Sequence, residues 1–315
     1  MKKDFDYKMD DLLPLVSVCI ITYNSSKTVV ETLDSVLAQT YPHIELLVSD
    51  DCSTDDTVSV CRSWLESHGN RFVRVELLIR QINGGVAANL NTVTRAAKGE
   101  WVKTIAGDDL LMPDCIKDNM DYVSSRRNQD IVFSKMSFFM EDSGKRTVLY
   151  SWEIDKGREM FYKETSSGQF NLLLSSCIYV PGVTVFQRKS FAVSHPYPEE
   201  YSFCEDWPHW THLAKSGIRL QYFDKETVLY RVNGSLSHPS LSCFIDERFH
   251  HSMIAFFYAE RYPLLKKLDY NEAIKQKREF FLGDVAIVLL RNHKNLFTRI
   301  ILYVFKVLLG TRKVV

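Results

Sequence analysis

The feature of this sequence that most constrains its fold is a fourfold alternation of strand-like and helix-like segments from Pro14 to about residue 110. The run VSVCIITY is short and apolar, as strands buried on both faces of a parallel sheet are, and HIELLVSD, RFVRVELLIR and EWVKTIAG are the next three predicted strands. The segments between them carry apolar residues at helical spacing, and Gly69 and Gly99 end two of them. This alternation predicts an α/β fold, a mostly parallel sheet with helices on both faces.

Polar residues follow three of these strands at the point where each strand ends. They are Thr22, Tyr23 and Asn24, then Asp50, Asp51, Cys52 and Ser53, and then Gly107, Asp108 and Asp109. Ligands of parallel sheets bind outside the carboxyl ends of the strands, so the three clusters predict a binding site there. Asp51 either accepts hydrogen bonds from a base or ribose or helps to cap the helix that follows.

Asp108 and Asp109 are the sharpest candidates for a metal site. Adjacent acids usually lie in a solvated turn, but this pair follows a strand that should be interior. Mg²⁺ and Mn²⁺ prefer oxygen ligands and are commonly held by one or two carboxylates plus substrate phosphates. The position of the pair therefore favours a bound divalent cation.

The second half of the chain is less regular. The segments DIVFSKMSFFMED and KRTVLYSWE predict strands around a DSGK turn, IRLQYFD and TVLYRV a hairpin, and the chain from about Ser242 a helical region. EDWPHWTHLAKSG predicts a helix, in which Glu205 and Asp206 either complement the helix dipole or accept a proton. In LYRVNGSLSH, Arg231 is a candidate for binding phosphate, and Asn233 or His238 for binding metal.

The composition excludes some classes of function. The 39 basic and 39 acidic residues cancel, so no overall positive field favours nucleic acid as a partner. The seven cysteines are scattered and form no CxxC pair. That usage is typical of reduced thiols in a cytosolic protein and argues against structural zinc.

The charge is unevenly placed towards the end of the sequence. No acidic residue follows Asp284, whereas six basic residues do: Arg291, Lys294, Arg299, Lys306, Arg312 and Lys313. They surround LFTRIILYVFKVLLG, which is too short and too charged to span a bilayer, since a span needs about 20 apolar residues. A basic amphipathic helix on an anionic membrane surface and a helix packed on the domain remain alternatives, because periodicity does not separate a lipid face from a core face.

Four motifs, in this order, resemble family 2 of the GT-A-fold glycosyltransferases. They are VSVCIITYNSSKTVVETLDSVLAQTYPHIELLVSDDCSTDDT, NGGVAANLN, GEWVKTIAGDDLLMPD and EDWPHWTHLAKSG, and the resemblance covers residues 16 to about 238. A Walker loop, a G-x-G-x-x-G fingerprint and a G-x-S-x-G elbow are missing. The sequence departs from the family at Ile21, where a proline is usual, at Leu90, where an arginine is usual, and at Asn233, where many relatives carry histidine.

The resemblance implies roles for individual residues. The nucleotide sugar would be bound by Thr22, Tyr23, Asn24, Asp51, Asn83, Asp108 and Arg231. Asp109 would bind the Mn²⁺ or Mg²⁺ that bridges the diphosphate, with Asp108 beside it and His238 as a further ligand. Asp206 would be the general base, with Glu205 as its neighbour or alternate.

The resemblance also implies a fold and an activity. The expected fold is α/β of the GT-A (Rossmann-like) type, with a helical C-terminal extension. The expected activity is that of a metal-dependent inverting glycosyltransferase, which moves a sugar from a nucleotide-sugar donor, a UDP-sugar in the first instance, to a glycan or lipid-linked oligosaccharide in bacterial surface polysaccharide synthesis. Two alternatives remain: a sugar-phosphate nucleotidyltransferase, and a catalytically inactive GT-A-fold binding protein.

The expected layout has three parts. Residues 1–14 form a flexible N-terminus, and residues 15–240 a GT-A domain with a nucleotide-binding half (15–115) and an acceptor half (116–240). Residues 241–315 form a helical region with a basic amphipathic tail. The expected location is the cytoplasm, with peripheral contact to the inner face of the cell membrane through that tail.

Overall fold

The computed structural model describes residues 13–126, 129–142, 144–151, 155–176, 180–201, 203–232, 245–293 and 295–309. The strands are β1 (Val16–Thr22), β2 (Ile44–Asp50), β3 (Arg74–Ile79), β4 (Trp101–Ala106), β5 (Leu110–Leu111), β6 (Ile131–Asp142), β7 (Lys145–Ser151), β8 (Phe186–Arg188) and β9 (Gln221–Arg231). The helices are α1 (Val29–Leu37), α2 (Thr57–His68), α3 (Gly85–Ala96), α4 (Cys115–Ser124), α5 (Asp155–Tyr162), α6 (Ser166–Ser175), α7 (Lys189–Ser194), α8 (Asp206–Lys215), α9 (Glu247–Phe256), α10 (Tyr262–Leu268), α11 (Tyr270–Asp284) and α12 (Leu296–Leu309). The predicted flexible N-terminus falls largely on residues 1–12, which lie outside the described residues.

The described strands form one nine-stranded sheet in the order β3-β2-β1-β4-β8-β6-β9-β5, with β7 paired to β6. Strands β3, β2, β1 and β4 are all parallel, and Ile20 of β1 lies between Val48 of β2 and Ile105 of β4. Strand β8 is antiparallel to β4 and β6, whereas β9 runs parallel to β6 and antiparallel to β5. The predicted parallel arrangement is confirmed for β3, β2, β1 and β4, and the described sheet as a whole is mixed, with four parallel and four antiparallel strand pairs.

Helices cover both faces of the parallel part of the sheet, as predicted. Successive side chains of a strand point to opposite faces. Leu46 packs in one core cluster with Leu33 of α1 and Trp64 of α2, whereas Leu47 packs in a second cluster with Val93 of α3. Burying each leucine contributes about 1.5–3 kcal/mol, which explains why these strands are apolar at consecutive positions.

The predicted hairpin between IRLQYFD and TVLYRV is wrong. Both segments belong to the single strand β9, which pairs in parallel with β6 over most of its length. The charged residues Asp224 and Lys225, which suggested a turn, lie where the register of β6 and β9 shifts. They form a bulge, and Lys225 pairs there with Asp118 of α4 at 2.7 Å.

From Glu247 to Leu309 the described residues are mostly helical, with interruptions at Asp269 and at residues 290–293, which confirms the predicted helical C-terminal extension. Arg261 anchors this region to the sheet domain. Its buried guanidinium donates to the Leu174 carbonyl at 2.6 Å and stacks over the Trp207 ring at 3.9 Å. No helix in the described part of the chain combines the length and the apolar character that crossing a bilayer requires.

Candidate functional site

The carboxyl ends of β1 and β2 are joined by their own polar side chains. Thr22 Oγ1 donates to Asp50 Oδ2 at 2.9 Å, and the backbone N–H of Asn24 donates to Ser53 Oγ at 2.8 Å. The Asn24 side chain accepts from the Thr54 amide at 2.9 Å, and its backbone adopts a left-handed conformation with φ 51°. Asparagine tolerates this conformation better than most residues, so the first two predicted polar clusters form one ordered loop pair.

Asp51 makes its contacts at the start of α3 and not at the start of α2, the helix that the capping alternative named. Its carboxylate accepts hydrogen bonds from the backbone N–H groups of Gly84 at 3.0 Å and Gly85 at 2.7 Å, where α3 begins. Arg80 Nε pairs with the same carboxylate at 3.3 Å, and Asn83 Oδ1 accepts from the Gly85 N–H at 3.2 Å. Asp51 therefore joins β2 to the start of α3. That Asp51 and Asn83 bind the nucleotide stays a prediction.

The turn that carries Asp108 and Asp109 is fixed by α1. Thr28 Oγ1 donates to the Gly107 carbonyl and Thr32 Oγ1 to the Asp109 carbonyl, both at 2.8 Å. The Asp109 side chain is almost fully buried, and its Oδ1 accepts from the Arg231 backbone N–H at 2.9 Å. The turn is therefore ordered rather than solvated, unlike the common setting of adjacent acids.

Arg231 supports this turn through its side chain as well. Its Nε donates to the Asp108 carbonyl at 2.8 Å, and its guanidinium pairs with Glu31 at 3.0 Å and Glu141 at 3.4 Å. The guanidinium also stacks over the Phe139 ring at 4.6 Å. Arg231 thus connects the end of β9 to the acidic turn. Its predicted contact with a phosphate stays a prediction.

Asp108 and Asp109 have the chemistry of cation ligands. Burial raises the pKa of both carboxyls, and the charge of Asp108 raises that of Asp109 further. A divalent cation beside them would offset the burial and the charge repulsion that raise these pKa values. The carboxylate oxygens of both residues are the hard ligands that such a cation prefers. In the described part of the chain no three His, Cys, Asp or Glu side chains gather closely enough to hold a metal ion by themselves. The other predicted ligands, His238 and Asn233, lie outside the described residues.

Glu205 and Asp206 lie at the start of α8, and both are partly exposed. Burial raises the pKa of Glu205 to about 7. Burial and the neighbouring Glu205 charge raise the pKa of Asp206 well above its usual range. A helix N-terminus stabilises carboxylates, so desolvation outweighs the helix dipole here. A carboxylate of raised pKa is a better proton acceptor, which is what the predicted base requires.

Both acidic pairs lie along the same edge of the sheet. A Cβ atom added to Gly182 would come within 2.2 Å of Asp206 Oδ2, so Asp206 packs directly on that residue. Gly182 begins a 3-10 turn, Gly182–Thr184, just before β8, and β8 pairs antiparallel with β4. The residues before β8 therefore lie beside the carboxyl end of β4, which leads into Asp108 and Asp109.

Lys103 of β4 is a supporting residue that the sequence reasoning missed. Its ammonium group is fully buried and donates to the carbonyls of Val183 at 2.5 Å and Val185 at 3.3 Å. Desolvation lowers the pKa of Lys103 to about 8. The lysine thereby fixes the turn on which Asp206 packs. The available signal was a lysine inside the apolar run EWVKTIAG, since lysine is rarely fully buried.

Asn91 of α3 is a second supporting residue that was missed. Its side-chain amide accepts from the Tyr197 N–H and donates to the Tyr197 carbonyl, both at 2.9 Å. The Tyr197 ring stacks on His209 of α8, with 4.1 Å between ring centroids. Asn91 therefore connects the nucleotide-binding half of the chain to the helix that carries Asp206. A buried asparagine in a helix interior is the signal that could have shown this.

The raised pKa of Glu205 predicts a pH-dependent cost in stability. An acid whose pKa rises from 4.5 to about 7 on folding holds a proton that the unfolded chain releases in this range. The free energy of unfolding therefore falls as the pH rises from about 4.5 to about 7, and Glu205→Gln should remove that fall. We expect the variant to be more stable than the wild type by about 1–3 kcal/mol at pH 8 and nearly equal to it at pH 4.5.

Urea unfolding of both proteins across this pH range measures the effect. The nearby ionisable groups Asp206, Tyr197 and His209 are common to both proteins, and burial keeps the His209 imidazole neutral by lowering its pKa to about 3. A stability difference that stays the same at every pH would contradict the prediction.

Comparisons with known proteins define the class to which this fold and site belong. The profile described as "Glycosyl transferase family 2" matches residues 17–193, more than half of the sequence. The chain therefore belongs to glycosyl transferase family 2. The resemblance read from the four motifs is confirmed.

Individual relatives are distant in sequence but similar over most of the chain. The UDP-Glc:α-D-GlcNAc-diphosphoundecaprenol β-1,3-glucosyltransferase WfaP of Escherichia coli is 24% identical over 81% of this chain and 96% of its own. Among solved structures, the mannosyltransferase PcManGT of Pyrobaculum calidifontis, in complex with GDP-Man and Mn²⁺, matches with a TM-score of 0.57 and 20% identity over 95% of this chain and 81% of its own. S. aureus TarS 1–349 in complex with UDP-GlcNAc matches with a TM-score of 0.54 and 21% identity, over 86% of this chain and 73% of its own. The predicted GT-A fold is confirmed.

Proposed function

We propose that this protein is an inverting glycosyltransferase that transfers a sugar from a nucleotide diphosphate to a hydroxyl group. The observation that carries the proposal is the placement of two acidic pairs, Asp108–Asp109 and Glu205–Asp206, along one edge of the sheet. One pair has the character of cation ligands and the other that of a proton acceptor. Family membership supports a glycosyltransferase over the nucleotidyltransferase alternative.

The chemistry is a single displacement. The Asp206 carboxylate takes the proton of the acceptor hydroxyl as its oxygen attacks the anomeric carbon of the donor sugar. The new carbon–oxygen bond forms on the face opposite the leaving group, and the bond to the diphosphate breaks with its electron pair on the phosphate oxygen. The configuration at the anomeric carbon is therefore inverted, and no covalent enzyme intermediate forms.

The Asp108–Asp109 pair is proposed to hold Mn²⁺ or Mg²⁺. A cation bound there would neutralise the charge that develops on the leaving nucleoside diphosphate. Asp109 would bind it through the oxygen that does not accept the Arg231 N–H, since Oδ1 is engaged at 2.9 Å. The Mn²⁺ in the complex of PcManGT supports a cation at this kind of site.

The donor is proposed to be a UDP-sugar and the acceptor a glycan or a lipid-linked oligosaccharide. The name of WfaP gives UDP-Glc as its donor and a diphosphoundecaprenol-linked sugar as its acceptor. One TarS structure contains UDP-GlcNAc. Thr22, Tyr23, Asn24, Asp51, Asn83, Asp108 and Arg231 are the proposed contacts to the donor. Synthesis of a surface polysaccharide at the cytoplasmic side of the membrane is the role that follows.

A thermal-shift screen of UDP-, GDP-, CMP- and dTDP-sugars, each with and without Mn²⁺, tests the proposal. A ligand that binds only the folded state stabilises it by about 2.7 kcal/mol at a hundredfold excess over Kd, so one nucleotide class should raise Tm by about 5 °C. We expect the rise to require the metal and to be largest with UDP-sugars. If no sugar nucleotide shifts Tm or is hydrolysed, the proposed function is wrong.

A further inference from the structure

Helix α12 is attached to the protein along one face only. Thr298 and Leu302 are buried, and Leu302 packs in a cluster with Ile245 and Val285. The start of the helix is capped reciprocally: the Asn295 N–H donates to Thr298 Oγ1 and the Thr298 N–H to Asn295 Oδ1, both at 3.0 Å. The helix therefore has a fixed start and a fixed rotation about its axis.

A second face of the helix is apolar and exposed. The large apolar side chains exposed there are Leu296 (77%), Phe297 (70%), Ile300 (54%), Tyr303 (63%), Val304 (48%), Val307 (61%) and Leu308 (76%). Leu296, Ile300, Tyr303 and Val307 recur at spacings of four, three and four residues, which is the spacing of one helix face. Soluble proteins rarely expose a continuous apolar surface of this kind without a partner. We call the seven side chains the α12 stripe.

The charged residues in the sequence from Val285 to Leu309 are all basic. Arg299 and Lys306, seven residues apart, lie on one side of the helix, and Arg291 is exposed in the turn that precedes it. The sequence after Asp284 contains no acidic residue. The π-helical segment Val285–Leu289 also exposes Val288 (73%) and Leu289 (66%) near this turn. An apolar surface beside positive charge alone is complementary to an anionic lipid surface.

We propose that α12 lies flat on an anionic lipid bilayer, with the α12 stripe among the upper acyl chains and Arg299 and Lys306 at the lipid phosphates. At 14 residues the helix is roughly 21 Å long, shorter than the hydrocarbon core of about 30 Å, so it does not cross the membrane. The opposite face of α12 stays on the protein. The domain is thus held at the membrane surface in one orientation. One face of the helix packs on the domain and another lies on the membrane, so each of the two alternatives from the sequence applies to one face.

An anionic bilayer fits these observations better than a protein partner does. A second copy of this chain would bring the same basic residues against each other, because a twofold interface pairs a surface with itself. An anionic bilayer is complementary both to the large apolar side chains and to the positive charge of this segment. An apolar protein surface would be complementary only to the apolar side chains. The proposal does not depend on the donor or the catalytic residues.

Vesicle sedimentation of the full chain tests the proposal. We expect binding to phosphatidylcholine vesicles that contain about 30% phosphatidylglycerol, and much weaker binding to phosphatidylcholine alone. Arg299→Gln/Lys306→Gln should weaken binding by about fivefold for each charge removed, and about 1 M salt should do the same to the wild type. Ile300→Asp/Val307→Asp should weaken it by about tenfold or more, because two apolar contacts are replaced by charges.

Leu268→Asp is the matched control. Leu268 of α10 is 51% exposed, close to the 54% of Ile300, but lies outside the α12 stripe. This variant should bind vesicles as the wild type does, and circular dichroism should show all variants folded. Equal binding to anionic and neutral vesicles, or unchanged binding by the Ile300→Asp/Val307→Asp variant, would overturn the proposal. Light scattering that shows a dimer which this variant converts to a monomer would also overturn it, in favour of an interface between copies.

Discussion

Asp206→Asn is expected to reduce sugar transfer by about 10²–10⁴-fold while donor binding survives. Asparagine has nearly the same shape as aspartate, so packing on Gly182 is retained. Its amide, however, does not take up the proton of the hydroxyl group that attacks the donor. The Tm shift caused by the donor and the metal should therefore persist, and kcat should fall. Release of nucleoside diphosphate in the presence of acceptor measures the rate, and thermal shift measures donor binding.

Glu205→Gln is the matched control for this experiment. It removes the neighbouring carboxylate at the start of the same helix, α8. The change should lower kcat much less than Asp206→Asn does if Asp206 is the base. A larger loss in Glu205→Gln than in Asp206→Asn would assign the proton transfer to Glu205. A wild-type protein that binds sugar nucleotides but transfers to no acceptor, with or without these changes, would favour the inactive binding protein.

Gly182→Ala tests the position of the carboxylate rather than its charge. The added Cβ would lie 2.2 Å from Asp206 Oδ2, so the side chain must move. A displacement of about 1 Å costs on the order of a hundredfold in rate, whereas donor binding, for which we propose the other acidic pair, should not change. Wild-type kcat in this variant would contradict the position argued for Asp206.

The part of the fold that could be predicted from sequence is the part in which one local pattern, a strand followed by a helix, repeats along the chain. Strands β1, β2 and β4 are each followed by a polar cluster, and parallel pairing brings those clusters to one edge whatever the details of the register. The rule that ligands bind at this edge then identifies the acidic turn without any knowledge of its contacts. For this reason Asp108 and Asp109 could be selected from spacing and position.

The contacts that fix the site could not be predicted, because they join residues far apart in the chain. Arg231 pairs with Glu31, 200 residues away, and with Glu141, 90 residues away. Lys103 donates to the carbonyls of Val183 and Val185, 80 and 82 residues later, as well as to the carbonyl of the adjacent Thr104. Neither pairing leaves a local pattern in the sequence.

The bulge in β9 was missed for a related reason. Two charged residues, Asp224 and Lys225, interrupt an apolar run, which locally resembles a turn. Only the pairing with β6 reveals that they are extra residues in one strand. A strand that is long, bulged and paired in parallel with a distant partner has no short-range signature that distinguishes it from a hairpin.

Asp109→Asn is expected to abolish the metal-dependent part of donor binding and to lower the transfer rate by about a hundredfold or more. The asparagine side chain still offers an oxygen to the Arg231 N–H, so the turn should keep its shape. Because burial and the Asp108 charge both penalise the Asp109 carboxylate, its removal should leave Tm of the ligand-free protein unchanged or higher. Loss of function with retained or raised stability separates a missing cation ligand from simple unfolding.

The control for this change is Asp121→Asn, which removes an exposed carboxylate whose partner is Lys117 in the next turn of α4. It should alter neither the Mn²⁺-dependent Tm shift nor transfer. If Asp109→Asn kept the full Mn²⁺-dependent shift, the cation would have to be held elsewhere, and the chemistry argued for the acidic turn would not stand. If donor binding proved strong without any metal, the buried pair would need another source of positive charge to accept a diphosphate beside it. Arg231, already joined to the Asp108 carbonyl, is the first described residue to test as that source by Arg231→Gln.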